Sequence, residues 1–338
     1  MNSRRKRVRN EKPRDHARVE PLRVDESAAE SAPESAFVPH RPIVKVAIIA
    51  TAIFVVAHLL LMIGSTTPEK ITFDEVHYVP AAKQLLEPGP HQPLLNPMHP
   101  PLAKQFMALS IKAFGDKPLG WRYPSLVFGA LAIVAMYLCG LALFRSQSAA
   151  LATAALTLLN QMVFVQSRIA MLDIYALTFD LFGVAAFIYG YQRQKPELAF
   201  AFSGLAFGLA GACKWSGFFP LGVAIAIVAV VQLLQGWRTQ FAEASNDDWY
   251  RPDRWPAFRY YHFALCFVAV PALAYYVGCM PANGFSISGF IEAQQNLHEV
   301  QETVNQYISK TLELGRVPSD EEMEGCCGGG GHSCGCSH

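Results

Sequence analysis

The sequence has almost no net charge. Its 28 Lys and Arg residues against 27 Asp and Glu leave a formal charge of +1, and only 16% of its 338 residues are charged. So even a balance gives no electrostatic footprint for a nucleic-acid partner. Short apolar runs broken by turns, as in a soluble α/β protein, are missing too. So are repeats of solenoid period. The amino terminus lacks the small-residue cleavage pattern that would follow the apolar block of a removed signal peptide. What remains is apolar residue in bulk, 52% of the chain. It is gathered into blocks of roughly 18–22 residues, the length that crosses ~30 Å of hydrocarbon. These blocks predict an all-α integral membrane protein.

About seven spans are expected: Ile43–Gly64, Pro124–Phe144, Ser148–Phe164, Ile174–Tyr191, Leu198–Ala212, Phe218–Leu234 and Tyr260–Gly278. Residues 43–279 thus form one transmembrane domain. Before it lies a basic segment, residues 1–42, with Arg4, Arg5, Lys6, Arg7 and Arg9 among acids, Ser and Pro. It has too little apolar area to offset chain ordering and reads as a disordered tail. Arg145, Arg193, Lys195, Arg238, Arg251, Arg254 and Arg259 follow alternate spans. With these on the cytoplasmic side, the amino terminus is cytoplasmic and the carboxyl terminus extracytoplasmic. The long loop 65–123 then lies outside. It is expected to hold two short helices, Pro80–Leu86 and Leu102–Phe114, the second with an apolar face suited to the membrane interface.

That loop carries most of the chemistry. Thr72-Phe73-Asp74-Glu75-Val76-His77-Tyr78 places two adjacent carboxylates just past the first span. Like charges side by side cost stability unless something uses them, although a solvated acidic turn or a helix start would also accept them. In His99-Pro100-Pro101-Leu102-Ala103-Lys104, two prolines enter a helix and could aim His99 and Lys104; an ordinary proline-initiated helix reads the same way. Arg122, within Gly120-Trp121-Arg122-Tyr123-Pro124, suits either an interfacial anchor or a bidentate phosphate contact. Arg168 and Asp173 return to the same face and could simply pair. Lys214 follows a glycine-rich span and could snorkel. Gathered in one outer cavity, these groups would put cations for a phosphate beside a carboxylate for an attacking hydroxyl.

In this order and spacing, FDEVHY, HPPLAK, GWRYPS, SRIAMLD and GLAGACKWSG resemble the amino-terminal membrane half of the dolichyl-phosphate-mannose–protein O-mannosyltransferases. These are membrane glycosyltransferases of the GT-C class. The likeness extends over residues 43–301, including FIEAQQ at 290–295. It implies a GT-C-like fold, a polyprenyl-phosphate-linked sugar donor (mannose foremost), a protein Ser/Thr hydroxyl as acceptor, and inversion at the anomeric carbon. It implies Asp74 as the catalytic carboxylate with Glu75 beside it. Lys104, Arg122, His99 and Arg168 become donor-phosphate contacts, and Asp173 and Lys214 shape the cavity. A phosphate leaving group needs charge stabilisation rather than a general acid, so no cofactor is expected for catalysis. The absence of a large inserted domain points to a bacterial plasma membrane.

The sequence departs from that family after the seventh span. An extracytoplasmic, partly helical segment over 280–325 precedes a Cys/His/Gly-rich tail over 326–338. There Cys326, Cys327, His332, Cys334, Cys336 and His338 offer soft ligands for Zn or Cu, a flexible tail or local disulfides being the alternatives. Members of the family usually continue through further spans. Two other readings therefore stand beside the transferase: a non-catalytic or split-enzyme subunit working with a second membrane subunit, and a metal-handling or transport protein. The expected partners are the bilayer, the lipid-linked sugar and an acceptor protein.

Overall fold

A computed structural model describes residues 43–87, 95–192, 197–241 and 260–314, and for 235–241 and Tyr260 the backbone only. The basic tail and the Cys/His tail lie outside the described residues. The chain divides into two units, residues 1–46 and 47–338; everything below concerns the second, apart from the opening turn of the first helix. All described secondary structure is helical. α1 (Ile43–Met62) leads to a loop with two short helices, α2 (Glu75–Gln84) and α3 (Leu102–Phe114). The bundle continues as α4 (Pro118–Phe144), α5 (Gln147–Leu159), α6 (Gln161–Gln166), α7 (Asp173–Tyr191) and α8 (Glu197–Cys213). A 3₁₀ turn, Trp215–Phe218, enters α9 (Phe219–Phe241). α10 is assembled from Tyr260–Ala264, a π-helical turn over Leu265–Ala269, and Val270–Cys279. After a 3₁₀ turn at Met280–Asn283, α11 (Ile287–Leu314) ends the described chain.

Among the described residues, five helical stretches are long and apolar enough to cross a bilayer: Ile43–Met62, Pro118–Phe144, Asp173–Tyr191, Trp215–Leu234 and Tyr261–Asn283. α5 and α8 are apolar but shorter. The chain is a multi-pass, all-α membrane protein.

Two expected spans differ from those observed. The third is not one helix, because Asn160 takes an extended backbone (φ −69°, ψ 115°) and its side chain caps α6 by accepting from Val163 N. Asparagine competes with the helix for its own backbone, so the apolar run breaks there. The second begins at Pro118, ahead of the expected Pro124, because proline fits a helix's first turn, where its missing N–H goes unused. Trp121 and Arg122 are therefore helical rather than part of the loop. Likewise α2 starts at Glu75, ahead of the expected Pro80, while α3 spans the expected residues.

The core gathers at the end of the bundle where the loop sits: Tyr78, Val79, Met107, Trp121, Leu172 and Tyr175 are buried together. Elsewhere, close packing depends on glycine. A Cβ on Gly204 of α8 would stand 1.8 Å from the Cys266 carbonyl oxygen, and one on Gly208 would stand 2.4 Å from that of Pro271. α8 and α10 thus meet backbone to backbone, the small-residue packing that serves helices in lipid.

Candidate active site

The adjacent acids Asp74 and Glu75 are turned to different tasks. Phe73 enters the left-handed region (φ 54°), and α2 begins immediately after it. Successive helical residues project about 100° apart, so two neighbouring carboxylates cannot share one direction.

Glu75 is fully buried. Its Oε1 accepts from Arg122 Nε (2.7 Å) and Ala170 N (2.9 Å). Its Oε2 accepts from Arg122 Nη2 (2.8 Å), Thr72 N (2.9 Å) and Thr72 Oγ1 (3.2 Å). Arg122 is 1% exposed and spends its other donors on main-chain oxygens: Ser65 O (3.1 Å), Pro68 O (2.8 Å) and Lys70 O (3.1 Å). A guanidinium has five N–H donors, and here each has an acceptor. Burial pushes the Glu75 carboxyl up. The hydrogen bonds from Arg122, Ala170 and Thr72, with the Arg122 charge, outweigh it and hold the pKa below the ordinary value. This corrects two sequence expectations: Arg122 has no donor left for a phosphate, and Glu75 has no free lone-pair direction for chemistry. The pair is a clamp fastening the loop to α4 and to the turn before α7.

Lys104 is also corrected. It is 3% exposed and its Nζ donates to Asn96 O (2.6 Å) and His99 O (2.9 Å), so it ties the residues before α3 to the helix instead of facing a ligand. Burial brings its ammonium down to about 7 from an ordinary 10.5. Between those values the unfolded chain binds the proton that the folded chain releases, so stability rises with pH across that window. Thermal midpoints in detergent should climb from pH 7 to 10, and Lys104→Met should flatten the climb; an unchanged slope in that variant would assign the effect elsewhere.

Arg168 braces α1. Its Nη2 donates to Ile63 O (2.6 Å) and its guanidinium lies 5.0 Å from the Phe164 ring centroid.

The other nominated groups converge. Asp173, at the start of α7, pairs with Lys214 at 2.6 Å, both side chains partly exposed. Lys214 occupies an extended residue between α8 and the 3₁₀ turn, which carries its side chain across to α7. The half-buried His99 ring packs on Tyr78 (6.2 Å) and leaves Nδ1 buried without a partner. Burial, then the charges of Lys214 and Lys104, push His99 down to about 4, while Asp173 and Asp74 pull the other way. A neutral imidazole keeps one N–H donor, so a lowered pKa does not bar His99 from a phosphate. Tyr78, not singled out from the sequence, completes the group. Its hydroxyl lies 3.5 Å from Asp74 Oδ2, and burial with the Asp74 and Asp173 charges raises its phenol. Its position four residues after Asp74, one helical turn on, was the available signal.

His99 thus lies within electrostatic reach of Asp74, Asp173 and Lys214, and Tyr78 within reach of Asp74 and Asp173, while Glu75, Arg122 and Lys104 are buried as framework. The Cys/His ligand set proposed for Zn or Cu falls outside the described residues.

Residues 118–281 match the family model described as dolichyl-phosphate-mannose-protein mannosyltransferase. It is 32% identical over 189 residues to the polyprenol-phosphate-mannose–protein mannosyltransferase of Corynebacterium glutamicum, a stretch covering 46% of this chain and 35% of that relative. The enzyme of the same name from Mycolicibacterium smegmatis is 27% identical over 198 residues, covering 51% of this chain and 38% of that relative. The match therefore spans little more than a third of these relatives. A chain of the S. cerevisiae protein O-mannosyltransferase Pmt1-Pmt2 complex bound to the sugar donor superposes with a TM-score of 0.52 at 21% identity. It covers 69% of this chain and 33% of that one, a likeness of fold.

Proposed function

We propose that the chain transfers mannose from a polyprenyl-phosphate donor to a Ser or Thr hydroxyl of a protein, at the extracytoplasmic face of a bacterial plasma membrane, with its amino terminus cytoplasmic. The observation that carries the reading is the division of labour between the two acids: Arg122 consumes Glu75, while Asp74 stands with Tyr78 and His99 beside the Asp173–Lys214 pair. In the step, the acceptor oxygen attacks C1 of the sugar and the C1–O bond to phosphate breaks. Polyprenyl phosphate leaves with the bonding electrons, and the hydroxyl proton passes to Asp74. Attack opposite the leaving group inverts C1. The phosphate departs as a weak base, so a cation near it suffices and the step balances without a metal.

Lys214 is the cation we assign to the phosphate. Arg122 and Lys104 are nearly sealed from solvent and Arg168 braces α1, whereas Lys214 is partly exposed and holds one carboxylate it can exchange for a phosphate. Charge-assisted contacts of this kind carry about 1.5–3 kcal/mol. Lys214→Ala should therefore raise the KM for the donor about tenfold or more, with Lys214→Arg partly restoring it; equal donor KM in wild type and Lys214→Ala would remove Lys214 from the phosphate.

The reading as a whole is tested by transfer from radiolabelled polyprenyl-phosphate mannose to protein, comparing the purified full chain with Asp74→Asn. Transfer by the wild type that the variant loses supports it. Transfer by neither, beside an active family enzyme as control, favours a membrane subunit without turnover of its own.

A further inference from the structure

Phe73 combines two features that seldom coincide without use. Its φ of 54° is a left-handed conformation that disfavours any residue with a Cβ by roughly 1–2 kcal/mol. The residue is 71% exposed, so hydrophobic burial does little to offset that cost. Outliers of this kind cluster at functional sites, where the surrounding structure holds them in place. Here the hold is visible: on one side Thr72 is bound to Glu75 through both its N–H and its hydroxyl, and on the other α2 begins. Val76, one turn further on, is also exposed, and its N–H donates to the Phe73 carbonyl (3.3 Å), so two exposed apolar residues stand on either side of the Asp74-Glu75 pair in the chain.

The company of Phe73 and Val76 indicates which phase they face. Thr66, Thr67, Pro68, Glu69 and Lys70 just before it are exposed, as is His77 beside Val76. A ring set among hydrated charged and polar groups meets water rather than acyl chains. Exposed apolar residues on either side of the proposed base in the chain, on an aqueous surface, suit an extended peptide delivering a hydroxyl to that base. Aromatic rings suit such contacts because they give large, rigid area at little entropic cost.

Resting on the transfer reading above, we propose that Phe73, with Val76, is the acceptor-peptide subsite, receiving an apolar side chain that flanks the Ser or Thr to be modified. The specificity of the enzyme for its acceptor then resides partly in the residue preceding its base.

The test compares wild type, Phe73→Gly, Phe73→Asn and Phe73→Tyr with a peptide of Thr, Pro and Ala as acceptor. Gly and Asn accept the left-handed backbone without a ring, while Tyr keeps the ring. The expected result is an acceptor KM raised about tenfold in Phe73→Gly and Phe73→Asn, near wild type in Phe73→Tyr, with the donor KM the same in all. An unchanged acceptor KM in Phe73→Gly overturns the proposal. So does a fall in kcat with a lowered melting temperature and no separate effect on acceptor KM, since that marks a purely structural turn. Should the wild type transfer nothing, peptide binding by fluorescence anisotropy separates the questions. Binding to wild type but not to Phe73→Gly keeps the subsite while the transfer reading fails; equal binding to both, or binding to neither, overturns the subsite.

Discussion

Arg122→Ala is expected to destabilise the protein by about 3–5 kcal/mol, the range found when one partner is removed from a buried ion pair. The reason is not the strength of the pair in isolation. With Arg122 gone, the buried Glu75 carboxylate loses its cation and the Ser65, Pro68 and Lys70 carbonyls lose their donor at once. Thermal unfolding in detergent should show a clear fall in midpoint, and limited proteolysis should cut within 65–70, where wild type resists. Replacing both partners with apolar residues, Glu75→Leu with Arg122→Met, should recover part of the loss but not all, since the three carbonyls stay unpaired. The sign of the pH effect follows from the lowered pKa of Glu75. Its contribution is fully present above the ordinary carboxylate range and is lost only as pH falls through the depressed value. Wild-type stability attributable to the clamp should therefore be flat from pH 5 to 8 and drop in stronger acid. A loss below about 1 kcal/mol in Arg122→Ala would show that the clamp is not structural.

Asp74→Asn carries the largest catalytic effect: kcat should fall about 10²–10⁴-fold, the usual worth of a positioned general base. Asparagine keeps the shape of the side chain and can still meet the Tyr78 hydroxyl, so the melting temperature and the donor KM should stay close to wild type. That separates Asp74 from its neighbour. Glu75→Gln should lower activity too, but together with stability, because the amide offers one oxygen where Arg122, Ala170 and Thr72 require two. If Asp74→Asn retained more than a tenth of wild-type kcat, the base would have to be sought elsewhere in the cluster.

Much of the membrane architecture is legible in the sequence, because a bilayer imposes length and polarity on each span with few exceptions. The second loop helix, Leu102–Phe114, is marked by two prolines at its start and a glycine at its end, and α3 runs between them. Harder to read was the break at Asn160, where an adjacent Asn160-Gln161 pair interrupts an apolar run that many helices would absorb. The site was legible as a list of charged residues but not as a set of roles. Nothing local to Gly120-Trp121-Arg122 announces that carbonyls 52–57 residues earlier will close around that guanidinium. Nor does HPPLAK reveal that its lysine turns back on the motif's own main chain. Charge in the sequence states what a residue can offer; only the fold states what has already been taken.

The seam at Gly204 and Gly208 has a mechanical meaning. Where two backbones touch with no side chains between them, there is nothing to rotate aside, so α8 and α10 behave as one girder rather than as two leaves of a door. Lys214 is bolted to the end of that girder. The long isoprenoid chain of the proposed donor, entering sideways from the bilayer, must find its gap at another joint, and the cation proposed to greet its phosphate holds station while it does.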